Sequence, residues 1–234
     1  MERIADLLLE RVAPPGGSAR PPLLFVHGMG GGSWYWANYL TACAEAGREA
    51  WALNLRGHHG SRPVPNLGLV SVLDYVQDVR DCLRVLGEVV LVGHSMGGLV
   101  AQKVAEAGGV RAAVLLTSAA PRGIVVLRWP VISRIFRYLG PVLFNRPLLP
   151  DRATADALIF NMLSPAQRQW AFDQLVPESG RATRELAFGL ISVDPRRLTC
   201  PLLVVGTERD LITPPVVQRK IAARYRAEYL EMTG

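Results

Sequence analysis

Glu88-Val89-Val90-Leu91-Val92-Gly93-His94-Ser95-Met96-Gly97-Gly98-Leu99-Val100-Ala101-Gln102-Lys103-Val104-Ala105-Glu106 is the stretch that decides the fold. Its opening residues form a short, β-branched apolar run that reads as a buried strand. From Gly98 onward the apolar residues return at helical spacing. Between the two stands G-x-S-x-G. The pentapeptide alone says little, but at a strand-to-helix junction it reads as a sharp, strained turn that lifts a serine hydroxyl clear of a sheet. The positions two before and two after that serine must be small, and Gly93 and Gly97 fill them. The helix that follows offers free backbone N–H groups and the positive end of its dipole. Ser95 is thereby a candidate nucleophile.

Outward from this junction the chain alternates strand and helix. Residues 22–26 read as a strand closed by His27-Gly28-Met29-Gly30-Gly31-Gly32, and Trp34 to Gly47 as a helix. Residues 49–55 are the next strand, leading into Arg56-Gly57-His58-His59-Gly60-Ser61. Ser71 to Leu86 is an amphipathic helix with Val72, Tyr75, Val76, Val79, Leu83 and Leu86 on one stripe. Val110 to Thr117 is another strand, Leu202 to Val205 a further one, Pro214 to Arg224 a helix and Ala227 to Met232 a last strand. Continuous apolar strands alternating with helices predict an α/β fold, a mostly parallel central sheet with helices on both faces. Ligands of such sheets bind at the carboxyl ends of the strands, which puts His27-Gly28-Met29 and Ser95 on one crevice.

From Pro121 to about Arg197 the rhythm breaks into a helix-like stretch rich in Arg, Pro and large apolar residues. Leu127 to Leu139 reads as an amphipathic piece, and Ser164-Pro165 as an N-cap followed by proline at the first helical position. The organisation expected is a core domain over 1–120 and 198–234, interrupted by a helical cap over 121–197. The cap's Leu127, Trp129, Ile132, Phe136, Leu143, Phe144, Phe160, Trp170 and Phe172 serve either an apolar substrate or the cap's own core.

The chain has 234 residues, of which 50% are apolar, with a mean hydropathy of +0.19, so disorder is excluded. No apolar run approaches the ~18–20 residues of a membrane span, and no stable membrane insertion is expected. Met1-Glu2-Arg3-Ile4-Ala5-Asp6 has acids where an export signal would have a basic head. Cys43, Cys82 and Cys200 are scattered in apolar surroundings, the pattern of buried small hydrophobes rather than of a disulfide framework or metal site. Both readings predict a cytoplasmic protein without metal or cofactor. The net charge of +6 comes almost wholly from arginines, since Lys103 and Lys220 are the only lysines. These arginines form no basic run interleaved with aromatics, and no nucleic-acid partner is expected.

With the Ser95 turn, the His27-Gly28 loop and a late acidic loop together, the chain resembles the α/β-hydrolase superfamily from about Pro21 onward. It is most similar to the serine-nucleophile, esterase- and lipase-like branch with a helical cap. The resemblance implies that Ser95 attacks, and that the backbone N–H groups of Met29 and Met96 form the oxyanion hole. It also implies that Asp210, in Gly206-Thr207-Glu208-Arg209-Asp210, is the acid that orients a histidine base. Asp210 is preferred to its neighbour Glu208 because the family's Gly-x-x-x-Asp spacing falls on it.

The family's histidine follows the last strand. Here Tyr229-Leu230-Glu231-Met232-Thr233-Gly234 reaches the end of that strand and the sequence stops, so the resemblance implies that a tail bearing the histidine and a closing helix is missing. His27, His94, His58 and His59 are all expected to have packing roles. The reaction expected is cleavage of a small apolar carboxylic ester or thioester through an acyl-enzyme on Ser95. Acyl transfer, C–C bond hydrolysis, or non-catalytic binding of a small apolar ligand are the alternatives. A serine at this position argues against epoxide hydrolases and dehalogenases of the superfamily, which carry aspartate there.

Overall fold

The computed structural model describes residues 1–125, 133 and 136–233. Eight strands form one sheet: β1 (Glu2–Ile4), β2 (Leu7–Val12), β3 (Leu23–Val26), β4 (Ala50–Asn54), β5 (Val89–His94), β6 (Val110–Leu116), β7 (Leu202–Thr207) and β8 (Glu228–Met232). Their order across the sheet is β1-β2-β4-β3-β5-β6-β7-β8. All neighbours from β4 to β8 are parallel, whereas β1–β2 and β2–β4 are antiparallel.

Alternate residues of the central strands enter two separate cores, which is why these strands read as unbroken apolar runs. Leu24, Val26, Leu53 and Leu91 pack with α2 (Val72–Leu86), α3 (Met96–Ala107) and α8 (Pro215–Tyr225) through Tyr75, Val79, Leu99, Val104 and Ile221. Phe25, Ala50, Ala52 and Val92 face the other way, against Trp36 and Leu40 at α1 (Ala37–Glu45).

The β1–β2 hairpin had no sequence-based expectation; its two-residue turn is Ala5-Asp6, both at positive φ (49° and 65°), without the Asn-Gly or Asp-Gly that advertises such turns. The helix expected from Trp34 starts as a 3₁₀ turn over Ser33–Trp36 and becomes α-helical at Ala37. There the Ser33 N–H donates to Asn54 Oδ1 at 2.7 Å, which pins the entry onto the end of β4. Of the cysteines, Cys82 is buried, but Cys43 and Cys200 are partly exposed.

Between β6 and β7 the described chain is helical: α4 (Leu139–Leu143), α5 (Arg152–Thr154, continuing into a wider turn over Ala155–Ile159), α6 (Pro165–Asp173) and α7 (Gly180–Ala187). Ser164 caps α6 with Pro165 at its first position, as the sequence predicts. Leu127, Trp129 and Ile132, with most of the amphipathic piece before Leu139, lie outside the described residues. The other apolar residues of the insertion divide. Phe160 is buried with Ala155, Ala171 and Leu175, and Phe172 packs beside them. Phe136, Leu143, Phe144 and Trp170 are exposed. No helix among the described residues is long and apolar enough to cross a membrane.

Candidate active site

Ser95 sits between β5 and α3 with φ 51° and ψ −118°, a conformation that costs a non-glycine residue about 1–3 kcal/mol. Its own backbone holds it there. The Ser95 N–H donates to Leu116 O at 3.1 Å, and its carbonyl accepts from Gly98 N and Ala119 N, both at 2.9 Å. The flanking glycines are demanded by contact. A Cβ on Gly97 would lie 2.3 Å from Val26 O, and one on Gly93 would lie 2.2 Å from Gly97 O. Helix α3 is therefore pressed onto the carboxyl end of β3. Its first N–H, that of Met96, is one of the helix-opening donors left without an intrahelical acceptor. The Ser95 hydroxyl makes no hydrogen bond among the described residues.

The loop after β3 comes to the same place. A Cβ on Gly28 would be 3.1 Å from Ser95 Cβ and 3.0 Å from His94 Nδ1. Residues 28–31 make a tight turn, with Gly31 N donating to Gly28 O at 3.2 Å and Gly30 at φ 63°. The Gly28 carbonyl also accepts from His27 Nδ1 at 2.8 Å. Since a carbonyl only accepts, that nitrogen carries the proton. His27 Nε2 accepts from Leu55 N at 3.2 Å, so the ring is neutral in a single tautomer. Burial, with the neighbouring His58 charge, pulls its pKa down to about 3. Two donors thus fix the direction in which the Gly28 carbonyl points. In a trans peptide the N–H of the next residue, Met29, points the opposite way.

Asp210 follows β7. Its Oδ1 accepts from Ile212 N and Thr213 N, both at 2.8 Å. The Thr213 hydroxyl lies 3.0 Å from Asp210 Oδ2 and 2.9 Å from Thr117 O, which ties this loop to the end of β6 beside the Ser95 turn. The Asp210 charge acts on His94, raising its pKa against the larger, lowering effect of burial. Glu208, the competing acid, is exposed, and its backbone N–H donates to Met232 O at 3.0 Å. The structure thus brings Gly28-Met29, Ser95 and Met96 together, with Asp210 across the end of β6.

A family model described as the alpha/beta hydrolase family matches residues 23–234. The chain belongs to this family. Among curated relatives, "Probable esterase PIR7A" of rice (Oryza sativa) is 38% identical over 79 residues, which is 32% of this chain and 30% of the rice protein. Epoxide hydrolase 3 of Xenopus tropicalis is 27% identical over an alignment covering 92% of this chain and 66% of the frog protein. The chain thus matches less than two thirds of the length of either relative. Among solved structures, a thermophilic esterase from Thermogutta terrifontis superposes with a TM-score of 0.73 at 20% identity, covering 97% of this chain and 84% of the esterase. An esterase from Exiguobacterium antarcticum gives 0.72 at 17%, covering 98% and 88%. At such identities these two likenesses speak for the fold.

The remaining histidines of this hydrolase-family chain differ from one another more than a shared packing role implies. His94 is wedged between Gly28 and the edge of the Tyr35 ring, 5.7 Å between centroids, and its buried Nδ1 has no described partner. His59 Nε2 is likewise buried without one, and burial lowers its pKa. His58 is of another kind. Its Nδ1 faces Arg56 O at 2.9 Å and its Nε2 faces Glu178 Oε2 at 3.2 Å, so both neighbours are acceptors and the ring is an imidazolium. Burial works against that charge, but the Glu178 carboxylate and the Arg56 carbonyl outweigh it and hold the pKa above its ordinary value.

Glu178 is the residue that sequence reasoning missed. It belongs to the helical insertion, is 2% exposed, and has every acceptor position filled. Oε1 accepts from Tyr75 Oη at 2.6 Å and Ser179 N at 2.7 Å. Oε2 accepts from Gly30 N at 3.0 Å and from His58. Burial raises its pKa, but His58, Tyr75 and Ser179 together bring it below the usual carboxylate range.

Proposed function

We propose that the chain is a serine hydrolase acting on carboxylic esters or thioesters. The observation that carries this reading is the strained Ser95 turn beside the Gly28 loop, with the N–H groups of Met29 and Met96 lacking an acceptor among the described residues. Ser95 Oγ adds to the substrate carbonyl carbon and loses its proton to a base. The developing oxyanion lies between the two backbone donors, which need no reorganisation to receive it. Collapse expels the alcohol or thiol, which takes up that proton, and water then releases the acid from the acyl-enzyme. Asp210 orients and charge-stabilises the base, for which a histidine is the fitting group. His27 and His58 are committed to other partners at both ring nitrogens.

The insertion between β6 and β7 reaches the turn through Val176 and Glu178, which supports its assignment as a cap over the crevice. Among the relatives, the rice esterase is the better guide to chemistry than the frog epoxide hydrolase. Ser95 stands where the epoxide-opening members of the superfamily carry a carboxylate.

The test is a fluorophosphonate probe on the protein expressed from its complete reading frame. Prompt labelling is expected, lost in Ser95→Ala and strongly slowed in Asp210→Asn. Labelling that persists in Ser95→Ala, or a folded protein that never labels, overturns the reading and favours a non-catalytic, ligand-binding role. Product analysis on p-nitrophenyl butyrate with added alcohol separates hydrolysis from acyl transfer.

A further inference from the structure

The Gly28–Gly31 turn is held by the helical insertion as well as by the core. Val176 N donates to Gly30 O at 3.0 Å, and Gly30 N donates to Glu178 Oε2 at 3.0 Å. We propose that Glu178 is a positioning residue for the reaction at Ser95: by accepting the Gly30 N–H, on the peptide next to the one that carries the Met29 N–H, it clamps the Gly28–Gly31 turn in place and couples the seating of the insertion to the placement of the Met29 oxyanion donor. This rests on the serine-hydrolase reading.

A four-residue turn has two forms that differ by a flip of the central peptide, and positive φ at the third residue belongs to the type II form. Gly30 has φ 63°, and the central peptide is the one whose N–H Glu178 accepts. Flipping it turns the Met29 carbonyl oxygen towards the carboxylate, acceptor against acceptor. A Cβ on Gly30 would sit 2.8 Å from Val176 O, so the insertion also packs directly on the turn.

Glu178 cannot easily yield. Its donors come from separate parts of the fold: Gly30 after β3, His58 after β4, and Tyr75 on α2. A carboxylate this buried is costly unless all such partners are present together. If the insertion lifts, Glu178 leaves with it, the Gly30 N–H loses its acceptor, and His58 loses its counter-charge. The oxyanion turn is therefore complete only beneath a seated insertion.

A merely structural anchor is the competing explanation, and the fold supplies a control. Glu185, also in the insertion, accepts from Ser71 Oγ at 2.8 Å and Val72 N at 2.8 Å, and so ties α7 to α2 without touching the turn. In Glu178→Gln an amide N–H must face at least one backbone N–H, either Gly30 or Ser179. The phosphonylation rate, or kcat on p-nitrophenyl butyrate, is expected to fall about 10- to 100-fold, with KM held within about twofold. Glu185→Gln is expected to keep the parental rate within about twofold, and Glu178→Asp to recover part of the loss. Amide hydrogen exchange at Gly30 should quicken in Glu178→Gln alone.

An unchanged rate in Glu178→Gln, or an equal loss in Glu185→Gln, overturns the proposal. If the parental protein does not label at Ser95, the hydrolase reading fails by itself. Gly30 exchange then decides whether Glu178 clamps the turn, unchanged protection being the adverse result.

Discussion

Replacing Gly97 by alanine places a Cβ 2.3 Å from the Val26 carbonyl oxygen and 2.5 Å from that of His27. Both are backbone atoms at the end of a central strand, so α3 must back away from β3. Overpacking of this kind costs about 2–3 kcal/mol. For a chain of this length that is roughly a 5–10 °C fall in Tm, measurable by calorimetry. Ser95 labelling should fall with it, because the same displacement drags Met96 from the Gly28 turn. The His58–Glu178 pair gives a residue-scale pH dependence of definite sign. His58 is raised in the fold, so its contribution is full below about pH 6.5 and is lost as pH climbs through the folded value. Glu178 is depressed, so its share is present above about pH 4.3 and is lost as pH falls through its folded value. Urea unfolding across pH 4–9 should show stability declining on the alkaline side. Glu178→Gln should flatten that decline.

At the scale of elements, two helices begin with the same capping box but in different surroundings. Ser71 caps α2 with Asp74 reaching back, and Glu185 from the insertion accepts the Ser71 hydroxyl as well. Ser164 caps α6 with Gln167 on an exposed surface. Ser164→Ala should cost about 1 kcal/mol. Ser71→Ala should cost more, about 2–3 kcal/mol, since it also strips a buried carboxylate of a donor. Equal losses in denaturant melts would contradict that ranking. The same contrast explains what was legible in the sequence. The Ser164-Pro165 cap, the strand–helix rhythm and the glycines around Ser95 are written within a few residues of one another, where periodicity and spacing carry the signal. The β1–β2 hairpin was not legible because Ala5-Asp6 adopts its turn without the usual residues. Glu178 was not legible because its donors lie 103, 120 and 148 positions away, at Tyr75, His58 and Gly30. No local pattern in Val176-Pro177-Glu178-Ser179 announces that such partners converge. His27 was legible as a loop residue but not as the ring that turns the Gly28 carbonyl aside, because its second partner is the Leu55 backbone.

For the molecule as a whole, the place where the insertion enters has a consequence for the order of assembly. Six of the eight strands, in the order β1-β2-β4-β3-β5-β6, are complete by Leu116, and their pairings bring the Gly28 loop against Ser95. The next pairing, Ala113 with Leu202, must wait for the whole insertion to be made and closed into a loop. Long closures of this kind are slow to form because chain entropy is lost before the contact is gained. Pulse-labelled hydrogen exchange during refolding should therefore find Leu24 and Leu91 protected before Val204 and Leu230. On the ribosome the interval is longer still, since the N-terminal strands emerge first. The nascent chain holds the Ser95 turn formed while Asp210 has yet to be synthesised, so on the proposed hydrolase reading reactivity is withheld until β7 and β8 dock.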